Sequence, residues 1–151
     1  MSSPRLAVAV NAERVRTPVA AARLERAARL VLRAGKVTRA RLSITLVSER
    51  RIAALNLRHL GHRGPTDVIS FLLHRDHGDP VIGDIYLAPR VARRNARAAR
   101  VGVREELVRL VVHGVLHVLG HDHPEHGARD QSPMWRLQES LVARAMGSRR
   151  R

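Results

Sequence analysis

The chain has 151 residues, the size of one ordinary domain that buries a core of its own. It contains no cysteine, which excludes a disulfide framework and a thiolate metal site, and no unbroken apolar run approaches the roughly 20 residues a membrane helix needs. Lys plus Arg number 28 against 13 Asp plus Glu, a formal charge of +15, which favours a polyanionic partner, RNA or DNA first.

In chain order, residues 5–11 (RLAVAVN) and 41–48 (RLSITLVS) are short, rich in branched apolar residues and bounded by charge or turn chemistry, and read as strands. Between them Thr17-Pro18 offers an N-cap followed by proline at the first helical position. A helix is expected from there to Gly35, with Leu24, Ala27, Ala28 and Val31 on one side. Ser48 opens a second helix that ends at Gly61, and HRGP after it is a loop. TDVISFLLH and VIGDIYLAP read as two more strands, joined through RDHGDP into a hairpin. Pro89 starts an arginine-rich helix to about Arg100, another helix runs from Val103, and a last one from Met134 to Met146.

The apolar start, Leu6 to Val10, is too short for a signal-peptide core, and a cytoplasmic protein is expected. The aromatic residues Phe71, Tyr86 and Trp135 are too few to stack successive bases, so phosphate contacts must carry any affinity for nucleic acid. The run ARRNARAAR is equally well a phosphate-facing surface or an ordinary solvated helix side.

Chemistry concentrates in VREELVRLVVHGVLHVLGHDH, residues 103–123. Leu107, Leu110, Val111, Val115 and Leu119 recur with helical spacing, so His113 and His117 at i and i+4 share a face. Gly120 stands where a helix end expects a left-handed residue, and a turn there would swing His123 back to complete three imidazoles around one divalent ion. Three histidines suit Zn²⁺ and leave a fourth position for a water whose pKa the ion lowers towards about 7, the arrangement of a hydrolase. A helix continued past Gly120 would instead bring His121 into the row with His113 and His117, making it the rival third ligand. Asp122 is placed to orient a ligand through its second ring nitrogen, and Asp84 to brace a strand end. The spacing matches the metzincin peptidase pattern in its histidines and glycine, but Gly114 replaces the Glu that serves as general base there. A glycine inside the helix suggests close approach of substrate or of another backbone.

Taken with Leu55-Asn56, Pro65 to Phe71, Gly83-Asp84-Ile85 and the helix from Met134 to Gly147, the block His113 to His123 resembles the YbeY family of bacterial endoribonucleases, or rRNA maturation factors. The resemblance implies an α+β fold: a single domain over residues 1–147, a mixed four-stranded sheet packed with about five helices, a zincin-like metal helix, and a basic tail at 148–151. It also implies one zinc held by His113, His117 and His123, single-strand-specific cleavage of RNA, and a role in 16S rRNA 3′-end maturation and small-subunit quality control, with rRNA and the small ribosomal subunit as partners. In one place the chain departs from the family, which usually carries an aromatic and then an Arg thought important for cleavage where this chain has His59 and Leu60. Arg58 and Arg63 are the neighbouring guanidinium groups able to take up the phosphate contact. The alternative reading is a non-catalytic RNA-binding ribosome-assembly factor with a structural zinc.

Overall fold

The computed structural model describes residues 5–122 and 132–147. Among these residues nine elements follow one another: β1 (Leu6–Ala12), α1 (Ala21–Ala34), β2 (Ala40–Leu46), α2 (Glu49–Leu60), β3 (Val68–His74), β4 (Val81–Leu87), α3 (Pro89–Ala99), α4 (Val103–Val118) and α5 (Pro133–Ala145). The four strands form one mixed sheet in the order β1-β2-β4-β3. β1, β2 and β4 run parallel, and β3 pairs antiparallel with β4 through the expected hairpin. This is the α+β architecture with five helices that the sequence led us to expect.

Strand burial alternates, as a sheet buried chiefly on one side requires. Val8, Leu42, Ile44, Leu46, Val81, Ile85 and Leu87 face the main core, where α1, α4 and α5 contribute Leu24, Leu32, Leu107, Leu116 and Leu141. On the other side Ile69, Phe71 and Tyr86 join Val47, Ile52, Leu55 and Val91 in a smaller core beneath α2.

Several local signals operate as read. The Ser48 hydroxyl accepts from Arg51 N–H to cap α2, and Gly61 ends that helix at φ 69°. One signal does not: α1 starts at Ala21 behind Ala20, which gives no side-chain cap, rather than at Thr17-Pro18. Val19 is the reason, since it is only 5% exposed and inserts into the main core ahead of the helix. Burying that side chain outweighs the cap and the favourable proline.

α4 departs from the amphipathic stripe suggested by its spacing. Val108, Val112, Leu116 and Val118 are buried along with Leu107, Leu110, Val111 and Val115, so the helix is enclosed on nearly all sides. It runs through the middle of the fold against α1, α3, α5 and both hairpin strands. Among the described residues no helix is long and apolar enough to cross a membrane.

Candidate metal centre

Close approach of α4 to the sheet depends on two glycines. A Cβ on Gly114 would lie 3.0 Å from Cγ2 of the fully buried Ile85, and one on Gly83 would lie 2.9 Å from Cγ1 of Val118. Gly114 therefore makes room for the Ile85 side chain of β4, and neither substrate nor another backbone is what it admits. Seated this way, α4 presents His113 and His117 with ring centroids 4.5 Å apart and ring planes at 71°. Both rings are half-buried on a helix whose other positions around them are closed.

The helix then stops sharply. Gly120 has φ +93°, Gly120 N–H donates to the His117 carbonyl and His121 N–H to the Leu116 carbonyl, which is the paired closure of a Schellman turn. Arg75 Nη1 donates to the Leu119 carbonyl at 2.6 Å and places a cation at the negative end of the helix. His121 consequently lies beyond the helix, exposed, and not in a row with His113 and His117, so the helical basis for it as rival ligand is lost. His123, the third expected ligand, lies outside the described residues.

A hydrogen bond sets the tautomer of His113, and an ion-pair contact faces His117. Nδ1 of His113 is 2.7 Å from Oε1 of Gln138, a residue only 2% exposed on α5. Gln138 is itself oriented, because its Nε2 donates to Glu139 Oε2 at 3.2 Å. An amide oxygen only accepts, so His113 carries a proton on Nδ1. His117 Nδ1 lies 3.2 Å from Oδ1 of the exposed Asp122, the carboxylate expected to orient a ligand. Two imidazoles on one helix face are, in their neutral form, the donor type that suits a borderline-soft divalent ion such as Zn²⁺.

Behind Gln138 the chain of polar contacts continues into α4. Arg109 grips Glu139 through Nε and Nη2, both at 2.9 Å, and also reaches Glu105 at 3.2 Å and Glu106 at 3.5 Å. Burial pushes the Glu139 carboxyl up, but hydrogen bonds from Arg109 and Gln138 outweigh it and hold the group below its ordinary value. For Glu106 the balance goes the other way: burial dominates Arg109, with Asp67 and Glu139 adding repulsion, and its carboxyl is raised. Sequence reasoning missed Gln138. The available signal was a polar residue at the i+4 position of the α5 stripe Met134, Gln138, Leu141, Val142, where an apolar residue belongs.

Other expected site residues are spread more widely. Arg58 on α2 and Arg63 in the α2–β3 loop are both exposed and form no ion pair among the described residues. Leu60, at the position of the departure, is 48% exposed, while His59 beside it meets the Phe71 ring edge-on at 5.2 Å. Asp84 is mid-strand in β4, paired with Ser43 and Phe71, so it braces no strand end. Its neighbour Ile85 faces Gly114 of α4, and alternation turns Asp84 to the opposite face of the sheet, away from the histidines.

A separate group capable of holding a cation, unforeseen in the sequence, sits on the hairpin, where the ligand atoms of His74, Asp76 and Asp79 lie within 4.8 Å of one another. His74 Nε2 is 3.0 Å from Asp79 Oδ2, an ion pair that raises the imidazole pKa and ties the two strand ends together. Both aspartates are exposed.

Residues 9–146 match the family described as Endoribonuclease YbeY. Proteins named Endoribonuclease YbeY are similar along most of the chain: that of Frankia alni is 39% identical, with 91% of this chain and 82% of the relative aligned. That of Anaeromyxobacter sp. is 40% identical over 94% of this chain and 73% of the relative. Among solved structures, TM1509 from Thermotoga maritima superposes with a TM-score of 0.62 at 26% identity, covering 93% of this chain and 90% of that one.

Proposed function

The chain belongs to the YbeY endoribonuclease family, and from that premise we propose that it is a zinc-dependent, single-strand-specific endoribonuclease acting in 16S rRNA 3′-end maturation and late small-subunit quality control. The observation that supports the metal is the pair of imidazoles side by side on α4, ring centroids 4.5 Å apart, each with its Nδ1 against a side-chain oxygen. His113, His117 and His123 would hold one Zn²⁺. With the ion bound, the site would activate a water and draw electron density from a phosphoryl oxygen of the scissile bond.

The rest of the work falls to the chain's own groups. Gln138 and Asp122 keep the two Nδ1 protons in place and stop the rings from turning. Glu139, clamped by Arg109, holds Gln138 in the amide orientation that makes this possible. Arg58 and Arg63 are exposed and without ion-pair partners among the described residues, as groups that neutralise a phosphate must be. The formal charge of +15 draws RNA to the whole surface, and rRNA and the small ribosomal subunit are the proposed partners, in the cytoplasm.

Cleavage of a small-subunit rRNA 3′ precursor by the zinc-loaded protein, beside His117→Ala protein purified identically, tests this reading. Cutting that disappears in the variant is expected. A second reading, an RNA-binding assembly factor in which zinc only holds the turn after α4, is favoured by exposed Leu60 where the resembled family carries Arg. Equal binding of the precursor by both proteins, with no cutting above background, would select it.

A further inference from the structure

At the end of the sheet where β2 and β4 finish, Val47 N–H donates to the Leu87 carbonyl, and α2 and α3 set out from almost the same place. Their N-termini line an open groove of about 950 Å³. One wall is α3, whose Pro89, Val91, Ala92 and Ala96 are buried and whose outward stripe is Arg90, Arg93, Arg94 and Arg97. The other wall comes from distant parts of the chain, Arg14 and Arg16 after β1 and Arg50 on α2. An ordinary solvated helix face accounts for the α3 stripe, but not for guanidinium groups from two other segments meeting it across a concavity.

Charge balance within the groove is one-sided. Among the described residues Glu49 is the sole carboxylate lining it, and both of its oxygens are taken by Arg94, with Arg90 Nε 4.0 Å away. That hydrogen bond and ion pair hold the Glu49 carboxyl below its ordinary value, so it stays ionised and anchors Arg94 in place. Arg14, Arg16, Arg50, Arg93 and Arg97 remain exposed and without a carboxylate partner among the described residues. Five unpaired like charges around a concavity repel one another, and the positive ends of two helices, 12 and 11 residues long, add to the field. A polyanion, with several phosphates held at fixed spacing, would relieve more of it than single small ions in solution do. Guanidinium forks suit phosphates two oxygens at a time, and the near absence of aromatic residues points to the backbone of the nucleic acid and not its bases.

The groove is also apart from the metal centre. β4 sets Ile85 against Gly114 and Gly83 against Val118, so the histidines lie alongside the middle of the strand while the groove opens beyond Leu87, two to four residues or about 7–13 Å further along. We propose that this groove is a non-catalytic docking site for the phosphodiester backbone of RNA outside the segment being cut. The choice of RNA as occupant rests on the endoribonuclease reading; the polyanion chemistry of the groove does not.

The test is a salt titration of binding to a labelled single-stranded RNA, followed by fluorescence anisotropy. Wild type is compared with Arg14→Gln/Arg93→Gln/Arg97→Gln and with a control of equal charge, Arg5→Gln/Arg26→Gln/Arg104→Gln, at three separated exposed positions ahead of β1, on α1 and on α4. All six side chains are exposed, and Arg97→Glu alone serves as a second groove variant. Three lost phosphate contacts at about 0.7 each should flatten the plot of log affinity against log salt by about 2 in the groove variant and leave the control unchanged. On a long RNA the groove variant should raise KM without changing kcat, and on an oligonucleotide just spanning the cleavage site it should change neither. Equal slopes for the two triple variants would reduce the groove to bulk charge and overturn the proposal. Binding to anionic phosphatidylserine vesicles that depends on the groove, with no groove dependence for RNA, would overturn RNA as occupant. A groove-dependent slope in a protein that cuts nothing would sink the nuclease reading and leave the docking site standing.

Discussion

Replacing Gln138 by Leu removes the acceptor that fixes the His113 tautomer while nearly keeping volume. Gln138 is 2% exposed and makes two hydrogen bonds, 2.7 Å to His113 and 3.2 Å to Glu139. Losing a partner that orients a metal-ligating histidine costs about 10- to 100-fold in metal affinity, or about 1.4–2.8 kcal/mol. Losing the two hydrogen bonds costs about 1–3 kcal/mol of stability, part of it returned by the better burial of Leu beside Leu141. Gln138→Glu separates the two effects. It keeps an oxygen facing Nδ1, so zinc affinity should stay within a few-fold of wild type, while a second carboxylate beside Glu139 lowers stability. Competition with a chromophoric zinc chelator reads the affinity, urea unfolding reads the stability, and ¹⁵N shifts of His113 report the tautomer. Wild-type affinity in Gln138→Leu, or an equal loss in both variants, would refute the argument that the amide oxygen holds the ring.

Gly114→Ala gains about 1 kcal/mol of helix propensity but drives a Cβ to 3.0 Å from Ile85 at an overpacking cost of about 1–3 kcal/mol, so urea unfolding should show a net loss; a more stable variant would mean that Ile85 shifts freely. Gly83→Ala should cost more, because its Cβ also meets the Phe71 carbonyl oxygen at 3.1 Å and a paired strand cannot step aside. The carboxylates around Arg109 should titrate with opposite signs. Glu106 has a raised pKa, so it favours the fold most in acid and loses that contribution as pH climbs above the ordinary glutamate range, and Glu106→Gln should gain on wild type with rising pH. Glu139 has a lowered pKa, so its contribution is present above that range and fades as pH falls, and the deficit of Glu139→Gln should shrink in acid; parallel profiles for the two variants would contradict the assignment. Leu60→Arg, at a position 48% exposed where a long side chain meets no packing penalty, should raise RNA turnover about tenfold, the worth of one charge-assisted hydrogen bond of about 1.5 kcal/mol; unchanged turnover would remove that position from the cleavage site.

What the sequence by itself determined was mostly local. Period-2 and period-3.6 patterns located all four strands and all five helices, Ser48 and Gly61 bounded α2 by capping chemistry, and His113 and His117 at i and i+4 had to share a face wherever α4 lay. Gly120 foretold the turn that ends that helix, because few residues other than glycine adopt φ +93° without strain. Tertiary structure decided whatever depends on residues far apart in the chain. Val19 overrode the Thr17-Pro18 start because a core site was available to it. Gly114 turned out to accommodate Ile85, and Asp84 to face away from the histidines, since both depend on how α4 seats on β4. Gln138 reaches His113 across 25 residues, and Arg14, Arg16 and Arg50 meet the α3 arginines only once β1, α2 and α3 share one end of the sheet. Periodicity fixes which side chains share a face of one element, but which faces meet is settled by packing across the whole fold, and that pairing put an acceptor behind His113 and arginines around one groove.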